Sequence, residues 1–196
     1  WGDKAKDRER SLSGTILARA MLARELRCPL RDVPICRETH GKPVLKDCTT
    51  SFLNQPFRDY AVCAVSKQPV GIDIERIGAY QPNVARRVCS DAEQKLLEQC
   101  EDPARLFYRL WTLKESYVKL TGTGISVPLS QITFSFLADG RVESNQKGFN
   151  FEVSRLEMDI GWPLGKNEVS CMIAAFGLVR PGREGEAFCS SNEINK

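Results

Sequence analysis

The run Val70-Gly71-Ile72-Asp73-Ile74-Glu75 constrains the fold of this 196-residue chain more than any other segment. Apolar and acidic residues alternate from Ile72 to Glu75, and a period of two marks an extended strand. Ile72 and Ile74 then face a core, while Asp73 and Glu75 project together from the opposite side. Lys67-Gln68-Pro69 reads as a turn, and the apolar run over 60–65 as a buried strand before it. Further strands are expected over 33–36, 131–137, 148–157 and 169–178, with Asp139-Gly140 as a hairpin signal. His40-Gly41-Lys42-Pro43 is turn-like.

Helical periodicity occupies other stretches. Leu12, Ile16, Ala20 and Ala23, widened by Leu22 and Leu26, predict an amphipathic helix over 11–26, stopped by Cys28-Pro29. Ser90-Asp91-Ala92-Glu93 has the form of a capping box opening a helix over 91–100. A stronger helix is expected over 104–120, with Leu106, Leu110, Leu113, Tyr117 and Leu120 as its core stripe and Thr121-Gly122-Thr123-Gly124 as its end. A helix followed by paired strands occurs twice, which predicts an α+β fold and suggests internal duplication. A boundary near 79–82 divides the chain into a lobe of residues 1–78, a lobe of residues 79–178 and a polar tail, 179–196.

Composition excludes several classes. With 42% hydrophobic and 27% charged residues, the chain can bury a core and is neither disordered nor collagen-like. No apolar run approaches the roughly 20 residues of a membrane span, and the charged first residues do not form a signal peptide. The first residue is tryptophan, so residues missing upstream are expected. None of the eight cysteines forms a C-x-x-C pair, which argues against a zinc ribbon or thioredoxin-like site. Cys63 and Cys171 read as small core residues, and reduced thiols point to the cytoplasm. The net charge is +3, and no long basic stripe with interleaved aromatics suggests nucleic acid as a partner.

Two acidic side chains on one strand face repel each other unless a cation lies between them. A hard divalent ion is one resolution, with phosphate oxygens and water completing its shell. Gly71 then lets a ligand approach the backbone closely. An edge strand with a solvated polar face is the alternative. On the helix over 104–120, Glu115 and Lys119 are four residues apart, a spacing also met in ordinary surface pairs worth about 0.3–0.5 kcal/mol. Trp111 reads as core there, and Ser116 as helix surface.

The Gly-Ile-Asp strand, followed some forty residues later by Trp111-x-x-Lys114-Glu115-Ser116-x-x-Lys119, resembles the joint signature of the 4′-phosphopantetheinyl transferase superfamily, in its larger Sfp-type branch. Gly41-Lys42-Pro43 is similar to an upstream element of that branch. Gln68-Pro69-Val70 leading into Gly71 also fits. The resemblance runs from about Ala5 to Leu178. It implies a monomeric pseudo-dimer of two α+β lobes with the site at their interface. It also implies transfer of the phosphopantetheine arm of coenzyme A to a serine of an apo acyl- or peptidyl-carrier protein, with release of 3′,5′-ADP.

By position, the resemblance implies that Asp73, Glu75 and Glu115 hold Mg²⁺ and that Lys119 pairs with a phosphate. Glu115, or a water it polarises, becomes the base for the carrier serine. Arg10 and Lys42 become ligands of the coenzyme A 3′-phosphate, and Glu93 a further carboxylate near the metal. The chain departs from the pattern at Asn54-Gln55, which replace a Ser-His pair on the 3′-phosphate side; glutamine donates a hydrogen bond but carries no charge. His40, which precedes Gly41, is a candidate substitute on that side, a turn histidine in solvent being the alternative. Relatives also carry an N-terminal strand ahead of the first helix. The competing readings are a coenzyme A- or carrier-binding protein that keeps the fold without transfer, and an unrelated α+β domain.

Overall fold

The computed structural model describes residues 2–37, 43–46, 50–57, 60–162 and 165–178. In chain order these hold α1 (Gly2–Leu26), β1 (Ile35–Arg37), β2 (Pro43–Leu45), β3 (Ser51–Phe57), β4 (Tyr60–Ser66), β5 (Val70–Arg76), α2 (Pro82–Val88), α3 (Asp91–Gln99), α4 (Pro103–Thr121), β6 (Phe134–Phe136), β7 (Val142–Ser144), β8 (Phe149–Trp162) and β9 (Gly165–Leu178). Helices and antiparallel ladders are segregated rather than alternating, so the fold is α+β. The main sheet has five strands in the order β5-β9-β8-β7-β6. Its first strand, β5, is thus hydrogen-bonded into a sheet whose other members all lie after residue 130, with Asp73 opposite Ala174 and Glu75 opposite Met172.

β3 and β4 form a separate two-stranded ladder, with Asn54 opposite Cys63 and Gln55 opposite Val62. Helix α1 packs on this ladder. The apolar stripe expected from Leu12, Ile16 and Ala20 is not its buried face: Leu12 is 59% and Ile16 52% exposed. The buried row is Gly14, Ala18 and Leu22, of which the expected stripe includes only Leu22, while Ala23 and Leu26 are partly buried against the same core. Both rows have the same four-residue spacing, so periodicity cannot choose between them. Small residues decide, because they let the helix axis come close to the strands. A Cβ on Gly14 would stand only 2.9 Å from Asn54 Nδ2.

The larger core forms around α4. Asp102 caps its start by accepting from the Arg105 N–H at 2.9 Å. Pro103 occupies the first turn, where its missing N–H does no harm. Gly122 ends the helix at φ +67°, a left-handed conformation that glycine adopts without strain. Phe107, Leu110 and Leu113 pack with Val88, Leu97, Ile132 and Phe134. Each fully buried leucine contributes about 1.5–3 kcal/mol. The helix is buried beyond that stripe, since Thr112, Lys114 and Ser116 are also fully covered. Ser116 is therefore interior, not the helix surface expected from its polarity.

The reason lies on β5. A Cβ on Gly71 would come 2.2 Å from Ser116 O and 2.9 Å from Leu120 Cβ, closer than real carbons approach. Gly71 thus serves the contact between strand and helix, not the approach of a ligand as expected. Among the described residues, no helix is long and apolar enough to cross a membrane. Cys28, Cys36, Cys63, Cys89 and Cys100 are free thiols. Cys63 is only half-buried, though burial pushes its thiol up to about 12.

Candidate active site between strand β5 and helix α4

Strand β5 and helix α4 bring two rows of side chains face to face. Gly71, Asp73 and Glu75 share one face of the strand. Because Gly71 touches Ser116 and Leu120, that face is turned toward α4. On the helix, Trp111, Glu115 and Lys119 recur every four residues and line up along one side. The Trp111 indole N–H donates to Glu75 Oε1 at 3.2 Å. At the other end, Lys119 Nζ donates to Asp73 Oδ1. Glu115 lies between these two contacts on the helix row. Lys119 thus forms its ion pair across to the strand, unlike the ordinary surface pair its spacing from Glu115 also allows.

Asp73 is 1% exposed, so β5 is buried on both faces and is no solvated polar edge. Burial raises the Asp73 carboxyl above its usual value, against the lowering effects of Lys119, the Gln55 amide and the Ile74 backbone. Glu75 is raised by burial and then by the charge of Asp73, and also by Glu115. Glu115 is raised by burial and then by Asp73, with Lys119 opposing. The three carboxylates therefore share one electrostatic environment. Like charges held together in a low-dielectric setting resist ionisation until a cation joins them.

Carboxylate oxygens are the donors a hard divalent ion prefers. The structure offers one such oxygen directly: Asp73 Oδ2 is buried and has no hydrogen-bond partner among the described residues. A buried carboxylate oxygen without a partner is costly unless something positive meets it. The donor set therefore suits a divalent cation. Among the described residues, however, no three acidic, histidine or cysteine side chains are gathered tightly enough to enclose a metal ion as they stand.

Asn54 and Gln55 are neighbours in sequence but point to opposite sides of β3. Asn54 packs toward Gly14 of α1. Gln55 turns to the site, where its Oε1 accepts from Lys119 Nζ at 2.8 Å and its Nε2 donates to Ile74 O at 3.3 Å. Lys42, His40 and the side chain of Arg10 lie outside the described residues, as do the Cys171 side chain and the tail over 179–196.

Glu93 is placed away from this cluster, in a buried network that the sequence reading did not foresee. The capping box is present: Ser90 N–H donates to Glu93 Oε2 at 2.8 Å, and Ser90 Oγ accepts from Glu93 N–H. The same oxygen Oε2 receives Lys114 Nζ at 2.6 Å, and Oε1 receives the Phe134 N–H at 2.9 Å. Lys114 also donates to Leu129 O at 2.9 Å and to Ile132 O. All three ammonium hydrogens are thereby used. Both side chains are fully buried, and burial holds Lys114 below the usual lysine value. The available signal was Lys114's position beside Leu110 and Leu113, where an ionisable residue calls for a buried partner.

Residues 69–164 match the family model described as the 4′-phosphopantetheinyl transferase superfamily. Among curated proteins, the chain is similar to the 4′-phosphopantetheinyl transferase Sfp of Bacillus subtilis (strain 168), with 31% identity over 140 residues, 70% of this chain and 62% of that protein. It is 37% identical over 138 residues to the 4′-phosphopantetheinyl transferase psf-1 of Bacillus pumilus, covering 69% of this chain and 59% of that protein. Among solved structures, holo-[acyl-carrier-protein] synthase (AcpS) of Thermotoga maritima superposes with a TM-score of 0.42 at 18% identity, over 57% of this chain and 64% of that one. The chain belongs to the 4′-phosphopantetheinyl transferase superfamily. It spans less than two thirds of the length of these two curated relatives.

Proposed function

We propose that the chain transfers the 4′-phosphopantetheine arm of coenzyme A to a serine of an apo acyl- or peptidyl-carrier protein, releasing 3′,5′-ADP. The observation that carries this reading is the facing of Asp73 and Glu75 with Glu115 and Lys119 across β5 and α4. Membership of the family and the names of the curated relatives support it. In the reaction the serine oxygen bonds to the phosphorus that bears the pantetheine arm. The bond from that phosphorus to the 3′,5′-ADP oxygen breaks, and the serine proton passes to Glu115 or to a water it polarises.

Asp73, Glu75 and Glu115 would hold Mg²⁺, which when bound neutralises charge at the pyrophosphate. The Lys119 ammonium meets a phosphate oxygen and stabilises charge that develops on the leaving group. Gln55, on the Lys119 side of β3, is better placed than Asn54 to meet the coenzyme. Arg10 and Lys42 are assigned to the 3′-phosphate from the family pattern alone. We assign most coenzyme contacts to residues 1–78 and much of the carrier-protein face to residues 79–178, with the site in the cleft between two lobes of one cytoplasmic monomer.

The test is incubation with coenzyme A, Mg²⁺ and an apo carrier protein, read as a mass gain of one phosphopantetheine arm on the carrier. Glu115→Gln keeps shape and helix propensity but removes the charge. It should give a folded, coenzyme-binding and inactive protein. Normal transfer by this variant would sink the assigned mechanism. Coenzyme binding without transfer by the unaltered chain would instead favour a binding protein that keeps the fold.

A further inference from the structure

Two acceptors of unlike kind hold the Lys119 ammonium. One is Asp73 Oδ1, on a carboxylate that is 1% exposed. The other is the neutral Gln55 Oε1 at 2.8 Å. The Gln55 amide cannot flip without loss, because its Nε2 donates to the Ile74 carbonyl at 3.3 Å. Its oxygen is therefore fixed toward the lysine. The Lys119 side chain is 31% exposed, so the ammonium stands nearer solvent than the carboxylate it meets.

A divalent ion bound by Asp73 draws on the same single negative charge that holds Lys119. It also repels the ammonium directly. Gln55 offers no negative charge to contest, so its hold on the ammonium persists when Asp73 is taken. We infer that Lys119 and a divalent cation compete for Asp73, and that Gln55 is a positioning residue that retains the displaced ammonium at the edge of the site. Metal binding then releases Lys119 toward the incoming phosphate instead of leaving it neutralised by the aspartate. This rests on the reading of Asp73 as a metal ligand given above. It assigns Gln55 a role toward Lys119 in place of the direct reading of a phosphate.

Mn²⁺ binding to the full chain, without coenzyme A, tests the inference by calorimetry or by the paramagnetic signal of the free ion. Lys119→Met keeps the aliphatic stem and removes the charge. It should tighten the Mn²⁺ dissociation constant about ten-fold or more, as expected when a charge-assisted hydrogen bond no longer has to be given up. Lys119→Gln should shift it in the same direction. Gln55→Ala leaves the ammonium dependent on Asp73 and should weaken Mn²⁺ binding by about three-fold. If Lys119→Met leaves affinity unchanged or weakens it, Lys119 orients Asp73 for the ion instead of competing with it, and the inference is overturned. An unchanged affinity in Gln55→Ala overturns the role given to Gln55. Asp73→Asn separates the two levels: it should abolish or strongly weaken Mn²⁺ binding, whereas binding that survives this substitution unweakened, or no binding by the unaltered chain, overturns Asp73 as a ligand and the inference with it.

Discussion

Replacing Lys114 by methionine should be among the most destabilising single changes this chain can suffer, although it keeps the length and apolar stem of the side chain. Lys114 and Glu93 are both fully buried, and the ammonium meets Glu93 Oε2 at 2.6 Å. Removing it leaves a buried carboxylate without its counter-ion, an effect worth about 3–5 kcal/mol. The Leu129 and Ile132 carbonyls also lose their donor, at about 1–3 kcal/mol each when they stay dry. These costs overlap, because one local relaxation relieves all three, so the expected total stays near the upper end of the first figure. A typical domain has only about 5–15 kcal/mol to lose. Urea unfolding followed by far-ultraviolet circular dichroism gives the measurement. Lys114→Met/Glu93→Gln, which buries no charge, should recover at least about 1 kcal/mol relative to Lys114→Met alone. Glutamine retains an acceptor for the Phe134 N–H but turns its amide group toward the Ser90 N–H, so the recovery is a lower bound on the effect of the charge. A loss below about 1 kcal/mol for Lys114→Met, or a double variant less stable than the single one, would refute the reasoning.

Gly71→Ala should cost more than about 2 kcal/mol by thermal or urea unfolding, since its Cβ would stand 2.2 Å from the Ser116 backbone oxygen, which cannot turn aside; a neutral result would mean that β5 and α4 are not packed as described. Leu22→Ala should cost about 2–5 kcal/mol, whereas Leu12→Lys and Ile16→Lys should each stay within about 0.5 kcal/mol, because Leu22 is fully buried and the other two are more than half exposed. Equal losses in both sets by the same assay would reverse the assignment of the buried face of α1.

Residues whose period is set by the backbone itself were legible in the sequence. Asp73 and Glu75 had to share a face if 70–75 was a strand, and the capping box at Ser90 and Glu93 fixed the start of α3. Features decided by a partner were not legible. β3 holds Asn54, Gln55 and Pro56, a poor strand by composition, and exists because every residue from Ser51 to Phe57 is paired with β4. Helix α2 starts at Pro82, the last residue of the expected boundary, and has no counterpart in the sequence reading, since Pro82 suits a first helical turn as well as a break. β8 and β9 run beyond their expected limits because each supplies the other's ladder out to Trp162 and Gly165.

The candidate site shows the same division more sharply. Four-residue spacing placed Glu115 and Lys119 on one side of α4, and two-residue spacing placed Asp73 and Glu75 on one side of β5. Neither period says that those two sides meet. That follows from Gly71, where the missing side chain lets the strand lie against the Ser116 backbone. With the strand held there, Trp111 falls opposite Glu75 and Lys119 opposite Asp73. Glycine in the Gly-Ile-Asp element thus sets the register between the acidic strand and the basic end of the helix. Without that contact the same charged residues would have no reason to share one buried environment.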